Sequence, residues 1–244
     1  MELEVWMGWY EEILKKFGFR KEDDEKTARS LNEILGKAGA LSLSELPSGE
    51  NFIVFGAGPS LKKHVKSIKK VYSDNFILVA ADGATTALLE EDMIPHIIVT
   101  DLDGKIDDLL SANNKNACMV VHAHGNNLEN ILKYSGSLKK VMGTTQSVPL
   151  KYVHNFGGFT DGDRAVFLAV KLGAKKIMLA GMDFGKVVSK YSRPEIDSEV
   201  GPADPIKALK LEYAEKLIQW IIKNEKVEVC DLTRLNDIEK FLKN

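Results

Sequence analysis

The sequence has few cysteines, no long apolar run and almost no net charge. Its two cysteines, Cys118 and Cys230, lie far apart among 244 residues, which leaves no disulfide framework and no CxxC metal motif and favours a reducing compartment. The longest apolar runs, such as residues 94–99, are too short to span a bilayer. The acidic, amphipathic N-terminus lacks the basic region of a secretion signal. We therefore expect a cytoplasmic protein with no membrane partner.

The charge balance limits the partners of the protein. Lysine and arginine number 33 and aspartate and glutamate 35, which gives a net charge of −2. Bulk charge of this kind would not hold a nucleic acid, so we expect no nucleic-acid partner. Apolar residues make up 44% of the chain, enough to form a sizeable core.

The first 46 residues are predicted to be helical. Apolar side chains at helical spacing predict helices at residues 4–17 and 23–35. Proline and glycine in residues 42–50 indicate a linker. We expect a helical N-terminal cap at residues 1–46 and an α/β catalytic domain at residues 47–244.

Beyond the linker, short apolar runs alternate with helical patterns, which is typical of βαβ units and a parallel sheet. The predicted strands are residues 51–55, 76–80, 95–100, 117–122, 140–142, 151–155, 176–180 and 226–230. The predicted helices are residues 60–70, 84–91, 127–134, 161–172 and 205–223. The expected fold class is α/β, a three-layer, mainly parallel, doubly wound sheet with a small helical N-terminal extension.

Polar loops follow seven of the predicted strands, at the edge where open parallel sheets bind ligands. In the first loop, Gly56 and Gly58 would let the backbone approach an anion, and Ser60 would cap a helix whose free N–H groups attract phosphate. The loop lacks the GK[ST] of a P-loop, and Leu61 occupies the third glycine position of the dinucleotide motif. An ordinary tight turn is the alternative.

The next two loops carry carboxylates. Asp82, followed by Gly83, could accept bonds from a ribose or cap the next helix. Asp101 and Asp103 follow the third strand, and in an extended chain they point to the same side. Two neighbouring carboxylates repel each other unless a cation lies between them, and Mg²⁺ commonly takes one or two carboxylates plus substrate phosphates. The alternative for Asp101 and Asp103 is a polar turn with a helix cap.

Two histidines share a face at the end of the fourth predicted strand. With an aspartate, His122 and His124 could form a zinc site, although no HExxH motif and no cysteine of the same loop supports one. We favour donation to phosphate or a role in shaping the pocket.

Charged residues also follow the sixth and seventh predicted strands. Thr160 would cap a helix whose first turn contains acids, or those acids and Arg164 would bind a heterocycle and a phosphate. Residues 183–185 match the kinase DFG motif in letters only, since no HRD loop or VAIK strand accompanies them. The polar stretch 185–205 is interpreted as a long loop and a candidate lid. The substrate-binding candidates chosen by location are Asp161, Asp163, Arg164 and Asp183.

The loop motifs, taken in order, resemble a known family. GAGPSL, DGA, VTDLDG, HAHG, GTTQ, NFGGFTDGDRA and GMDF are similar to the archaeal 6-hydroxymethyl-7,8-dihydropterin pyrophosphokinases, distant relatives of thiamine pyrophosphokinases, over roughly residues 50–232. The resemblance implies transfer of the β,γ-diphosphate of ATP to the hydroxymethyl group of a pterin, with release of AMP. The product would feed methanopterin or folate-type cofactor synthesis.

The resemblance also implies roles for individual residues. Asp101 and Asp103 would be Mg²⁺ ligands and catalytic residues, and Asn126 would be a further ligand at a position where the family has an aspartate. The chemistry itself singles out no general base, and His122, His124 or an aspartate could serve. The residues expected to hold ATP are Gly56, Gly58, Ser60, Gly83 and Asp82, and Asp82 would lie by the nucleotide or the metal.

Other functions stay open at this point. A thiamine pyrophosphokinase would use the same chemistry on another alcohol, and a non-catalytic nucleotide-binding module would bind ATP without releasing AMP. A sugar-nucleotide-binding relative of glycosyltransferases is a third alternative, and Leu61 makes a dinucleotide oxidoreductase a weaker one. Because the related thiamine enzymes pair, we expect a homodimer.

Overall fold

The structure, a computed structural model, describes residues 1–72, 75–235 and 238–239. The helices are α1 Leu3–Phe17, α2 Lys21–Ala38, α3 Leu61–Lys69, α4 Ala84–Leu89, α5 Ile106–Asn114, α6 Leu128–Tyr134, α7 Asp161–Lys171 and α8 Pro205–Asn224. The strands are β1 Asn51–Phe55, β2 Ile77–Ala81, β3 Ile97–Thr100, β4 Cys118–Ala123, β5 Val141–Thr145, β6 Val153–His154, β7 Lys176–Ala180, β8 Val187–Ser189, β9 Val200–Pro202 and β10 Glu228–Asp231.

Eight strands form one sheet in the order β10-β7-β1-β2-β3-β4-β5-β6. Every pairing in this sheet is parallel. The strand order reverses between β1 and β7, because β2 to β6 lie on one side of β1 and β7 and β10 on the other. All the carboxyl ends therefore meet at one edge, where a parallel sheet places its ligands.

Helices cover both faces of the sheet. Phe52 and Val54 of β1 belong to a core with residues of α1, α7 and α8, and Ile53 and Phe55 to one with α3 and α4. The strand register places Ile98 beside Ala80, so the third core, formed with α2, α5 and α6, lies on the same face as the second. Burial on both faces explains the apolar strands, and the predicted three-layer α/β fold is confirmed.

Two features of the fold were not predicted. Helix α5 buries mainly Leu109 and Ala112, so its apolar pattern is too weak to indicate a helix. The stretch 185–205, interpreted as a loop, contains the antiparallel hairpin β8–β9, whose strands of three residues are too short to show an alternating pattern. None of the helices in the described ranges has the length and apolar character needed to cross a bilayer.

Candidate active site

A pocket of about 460 Å³ opens at the carboxyl edge of the sheet. Its walls are the loops after β1 to β5 and β7, the turn between α1 and α2, the β8–β9 hairpin and the first turns of α7 and α8. The predicted site residues that line it are Gly56, Gly58, Asp82, Gly83, Asp101, Asp103, His124, Asn126, Asp161, Arg164 and Asp183. Ser60, His122 and Asp163 lie outside the lining.

Three aspartates form a carboxylate triad in this pocket. Asp82, Asp101 and Asp103 each place one oxygen within 4.8 Å of the others. Asp101 and Asp103 do not continue β3 as predicted. Leu102 between them adopts a left-handed conformation, φ 65°, and buries its side chain. The extended-chain argument was therefore wrong, although both carboxylates reach the pocket.

The backbone around the triad brings its members close together. Asp82 is itself left-handed, φ 39°, and its carboxylate accepts a bond from the Thr100 hydroxyl. It does not cap α4, where Gly83 occupies the N-cap position and no side chain caps the helix. A Cβ atom at Gly104 would overlap the Asp82 carboxylate. Glycine is therefore required at position 104 for the close approach.

The three carboxyl groups of the triad have different pKa values. Burial and the charge of Asp101 raise the pKa of Asp82 to about 6, and the same two causes raise the pKa of Asp103 to about 8. Burial alone would raise the pKa of Asp101, but hydrogen bonds with His124 and Asp103 hold it well below its ordinary value. Repulsion among like charges of this kind disappears when a cation binds between them.

The two histidines have different environments. His124 lies at the pocket and its Nε2 atom is 3.0 Å from Asp101 Oδ2. His122 is buried, and its Nδ1 atom is 3.2 Å from the Thr144 hydroxyl. Burial lowers the pKa of His122 well below its ordinary value. Of the two rings, only His124 lines the pocket, and a catalytic role of His122 stays a prediction.

The backbone amides of the glycine turn after β1 form hydrogen bonds within the protein. The amides of Gly56 and Gly58 donate to the carbonyls of Ala180 and Gly181, both at 2.8 Å. The Ser60 hydroxyl donates to Asp183 Oδ2 at 2.7 Å and does not cap α3. The predicted Ser60 cap was wrong, since Asp183 competes for the hydroxyl.

Gly83 also contacts the protein itself. A Cβ atom at this position would overlap the carbonyl oxygen of Tyr191, which lies in the β8–β9 connection. Because Gly83 has no side chain, the β8–β9 connection can pack against it and form part of the pocket wall. A role of Gly83 in holding ATP stays a prediction.

The two acids in the first turn of α7, Asp161 and Asp163, have different roles. Both Asp163 oxygens accept backbone amides, from Phe159 at 2.6 Å and from Thr160 at 2.8 Å, and with Thr160 they form a capping box. Asp163 is fully buried, so the assignment to substrate binding was wrong. Asp161 faces the pocket, and burial and the charge of Asp101 raise its pKa well above the ordinary value.

A chain of hydrogen bonds connects Asp161 to the N-terminal helices. Arg164 contacts Asp161 at 3.3 Å and Gln146 Oε1 at 3.1 Å. The Gln146 amide then donates to Asp24 at 2.8 Å, and the Tyr10 hydroxyl donates to the same oxygen at 2.6 Å. Asp24 and Gln146 line the pocket but were not predicted, because an acid in a helix gives no sequence signal of this role.

Three cations on the outer wall were also missed. Lysines on a helix usually face solvent, so their position gives no sequence signal of this role. Pro205 at the start of α8, directly after the candidate lid, was the available signal. These cations are Arg193, Lys207 and Lys210, and Arg20 and the predicted Arg164 also line the pocket.

Comparison with known proteins agrees with the motif resemblance. The family described as 6-hydroxymethylpterin diphosphokinase MptE-like matches residues 25–188. The 6-hydroxymethyl-7,8-dihydropterin pyrophosphokinase of Methanothermobacter thermautotrophicus is 55% identical over 231 residues, covering 94% of this chain and 99% of the relative. The enzyme of the same name from Methanocaldococcus jannaschii is 44% identical over 239 residues, covering 94% and 98%.

A solved structure supports the fold alone. The MAf glycosyltransferase from Magnetospirillum magneticum AMB-1 matches with a TM-score of 0.51 at 15% identity, over 84% of this chain and 37% of that one. The sequence matches are much stronger and include the loops that carry the carboxylate triad, His124 and Asp161. The chain therefore belongs to the MptE-like 6-hydroxymethylpterin diphosphokinase family.

Proposed function

We propose that this chain transfers diphosphate from ATP to the hydroxymethyl group of 6-hydroxymethyl-7,8-dihydropterin and releases AMP, in methanopterin or folate-type cofactor synthesis. Relatives named for this pyrophosphokinase activity match nearly the whole chain. The observation that carries the proposal is the carboxylate triad in a pocket that also contains cations. Transfer of a phosphoryl-type group depends on positioning and on neutralising charge, and such a pocket can do both.

Mg²⁺ is the metal that suits the triad. Asp82, Asp101 and Asp103 offer hard oxygen ligands within 4.8 Å of one another. The raised pKa of Asp82 and Asp103 reflects burial and, after it, a repulsion that a divalent cation would remove. Asn126 is exposed in the same pocket and could add an amide oxygen. When bound, the cation neutralises charge on the phosphates.

The proposed reaction is an in-line displacement at the β-phosphorus of ATP. The hydroxymethyl oxygen forms the new P–O bond, and the bond from the β-phosphorus to the oxygen bridging it to the α-phosphorus breaks. That oxygen leaves with AMP, and the hydroxyl proton passes to water. The loose transition state needs little help from a base, so the chain contributes mainly by holding the two substrates in line.

We infer that His124 positions Asp101 and does not act as the general base. Its Nε2 atom lies 3.0 Å from Asp101 Oδ2, and its Nδ1 atom accepts a hydrogen bond from the backbone N–H of Asn126 at 3.4 Å. Both ring nitrogens are thus engaged, and the ring fixes the orientation of the carboxylate whose low pKa keeps it ionised. Ligand-orienting bonds of this type sharpen metal sites.

We place the pterin beside Asp161 and Arg164. Arg164 is 8% exposed, and its Nε atom has no hydrogen-bond partner among the described residues. The amino group and ring N–H of a pterin match a carboxylate, and its carbonyl oxygen matches a guanidinium donor. Phe159 lines the same part of the pocket and offers a ring on which a flat heterocycle can stack.

A coupled assay tests the proposal. The protein is incubated with ATP, Mg²⁺ and 6-hydroxymethyl-7,8-dihydropterin, with thiamine in a parallel tube, and AMP is followed by chromatography. We expect AMP with the pterin alone. AMP with thiamine alone would keep the reaction and overturn the acceptor. Binding of ATP without AMP in either tube would instead support a non-catalytic nucleotide-binding module.

Two further expectations concern the whole molecule. We propose that the chain forms a homodimer and acts in the cytoplasm. Light scattering after size exclusion checks the first, with a homodimer expected at twice the 27.1 kDa chain mass. Fractionation of cells that produce the protein checks the second. A monomeric mass or recovery with the membrane fraction would contradict the respective expectation.

A further inference from the structure

We propose that Lys207 is a catalytic residue that contacts the transferred diphosphoryl group of ATP from the side opposite the carboxylate triad. The inference rests on the proposed diphosphate transfer and adds a residue to it. Lys207 lies in the first turn of α8, outside the segment 25–188 that matches the family pattern. Its position, its charge environment and its local anchoring lead to this role.

The position of Lys207 faces the acidic edge of the sheet. It is half-buried and lines the pocket. The carboxylates whose charges act on it are those of Asp161, Asp103 and Asp101. No carboxylate oxygen of the described residues lies within 4.0 Å of its ammonium group in an ion pair. A cation that faces acids across a cavity without pairing with them leaves space for an anion between the two walls.

The charge environment of Lys207 also favours an anion. Burial and the charge of Arg193 lower the pKa of Lys207, so the unliganded pocket holds this cation at a cost. A triphosphate bound between Lys207 and a divalent cation held by the triad would remove that cost, because its negative charge would then lie beside the ammonium group. The need is greatest during transfer, when charge moves onto the oxygen that leaves with AMP.

The chain anchors Lys207 by its backbone. The Lys207 amide donates to Asp204 Oδ1 at 2.8 Å, the N-cap bond of α8. The other Asp204 oxygen accepts from Arg193 Nη2 at 2.9 Å, which ties the β8–β9 connection to the same helix start. The helix start that carries Lys207 is thus fixed by two elements, and a fixed support helps to pre-organise the charge that a transition state requires.

Lys210, one turn later, is a different case. Its ammonium group lies 5.8 Å from the ring centres of both Phe19 and Phe159, and burial and then the charge of Arg164 lower its pKa. It therefore belongs to the part of the pocket that we assign to the pterin. Substitution of Lys210 is expected to change the KM for the pterin more than the KM for ATP.

The test compares Lys207→Met, Lys207→Arg and the control Lys223→Met, an exposed lysine at the far end of the same helix. Loss of one pre-organised charge contact commonly costs 10²–10³-fold in turnover, so we expect kcat to fall at least about 100-fold for Lys207→Met. Lys207→Arg should recover part of the loss, and Lys223→Met should match the wild type.

The affinities for two nucleotides show whether Lys207 contacts the diphosphoryl group or whether its substitution disturbs the whole nucleotide site. We expect Lys207→Met to weaken binding of the analogue α,β-methylene-ATP about tenfold, as for a lost charged hydrogen bond, and to leave AMP binding unchanged. Equal weakening of both nucleotides, or a normal kcat, would overturn the proposal. If the wild type forms no AMP with the pterin, the proposed function fails, and the ratio of the two affinities still decides the role of Lys207.

Discussion

Asp101-Leu102-Asp103 and Asp161-Gly162-Asp163 have the same spacing of carboxylates and lie at the same edge of the sheet, but they use their acids differently. In the first motif, Leu102 adopts φ 65° and turns its side chain into the core, so both acids reach the pocket. The second motif forms the first turn of α7. Residues two apart on a helix point about 200° away from each other.

The helical motif therefore separates a ligand-facing acid from a structural one. Asp161 faces the pocket, and Asp163 turns back to the amides of Phe159 and Thr160. Identical spacing thus predicts a pair of site carboxylates only where the intervening residue leaves helical geometry. Substitutions in the two motifs can test this comparison one acid at a time.

The largest effect is expected from the non-helical motif. Asp101→Asn and Asp103→Asn should each lower kcat at least about 1000-fold, because a metal site loses several kcal/mol of charge stabilisation with a ligand. The melting temperature should stay within a few degrees of the wild type, since each substitution relieves repulsion in the triad. Steady-state AMP formation and thermal melts check this. Near-normal turnover in both variants would contradict the metal assignment.

Asp163→Ala should instead destabilise the protein. Two buried backbone amides lose their acceptor, which costs about 1–3 kcal/mol for such a group. Urea unfolding with an unchanged denaturant slope should show the loss. Asp163→Asn is the milder variant, since it keeps one acceptor oxygen. A wild-type free energy of unfolding with lost activity would reverse the roles that we assign within this motif.

Asp161→Asn should change the affinity for the pterin. An amide keeps the size of the side chain but offers one acceptor where a carboxylate offers two, so we expect the KM for the pterin to rise about tenfold. The dissociation constant of α,β-methylene-ATP and the melting temperature should not change. An equal loss of affinity for the nucleotide would move Asp161 to the metal side of the pocket.

The smallest effect concerns pH. Asp82 and Asp103 have a pKa of about 6 and about 8 in the folded protein, above the ordinary value of about 4 for the unfolded chain. The folded state therefore holds protons that the unfolded state has released, and the free energy of unfolding should fall as the pH rises from about 4 towards 8.

The Asp103 side chain is exposed although the pocket partly desolvates its carboxyl group. Solvent therefore reduces the size of the pH effect, and we expect a change on the order of 1 kcal/mol. Urea unfolding at pH 5 and pH 8 without divalent cations measures it, and Asp82→Asn is the matched variant with a smaller slope. Added Mg²⁺ should remove most of the difference. Stability that rises over this range would show that repulsion in the triad is not the cause.

The sequence was sufficient to predict the strands of the sheet and the acidic residues at its carboxyl edge. Apolar runs buried on both faces have sharp ends, so β1 and β7 were predicted with their observed bounds. The loops after them were then located by topology, because carboxyl ends of parallel strands must share one edge. This argument needs no side-chain detail, and it brought Asp82, Asp101, Asp103 and Asp161 together.

The remaining features depend on contacts that no local pattern encodes. Asp24 meets Gln146 across 122 residues of sequence, and Lys207 faces the acids only because α8 begins beside the hairpin. The glycine turn after β1 was expected to let the backbone approach an anion, but its amides donate to Ala180 at the end of β7 and to Gly181 after it. In each of these cases, the role of a residue depends on a contact with residues far away in the sequence.

The position of β7 beside β1 has a consequence for how the chain is made. Strand β1 ends at Phe55 and its neighbour β7 at Ala180, about 125 residues later, or roughly 6–25 s at ribosomal speeds. During that time β1, an apolar strand with Phe52 to Phe55 as its core side chains, has one open edge. A nascent chain with such an edge is exposed to mispairing, so this family should fold best where chaperones or slow dilution protect β1 until β7 arrives.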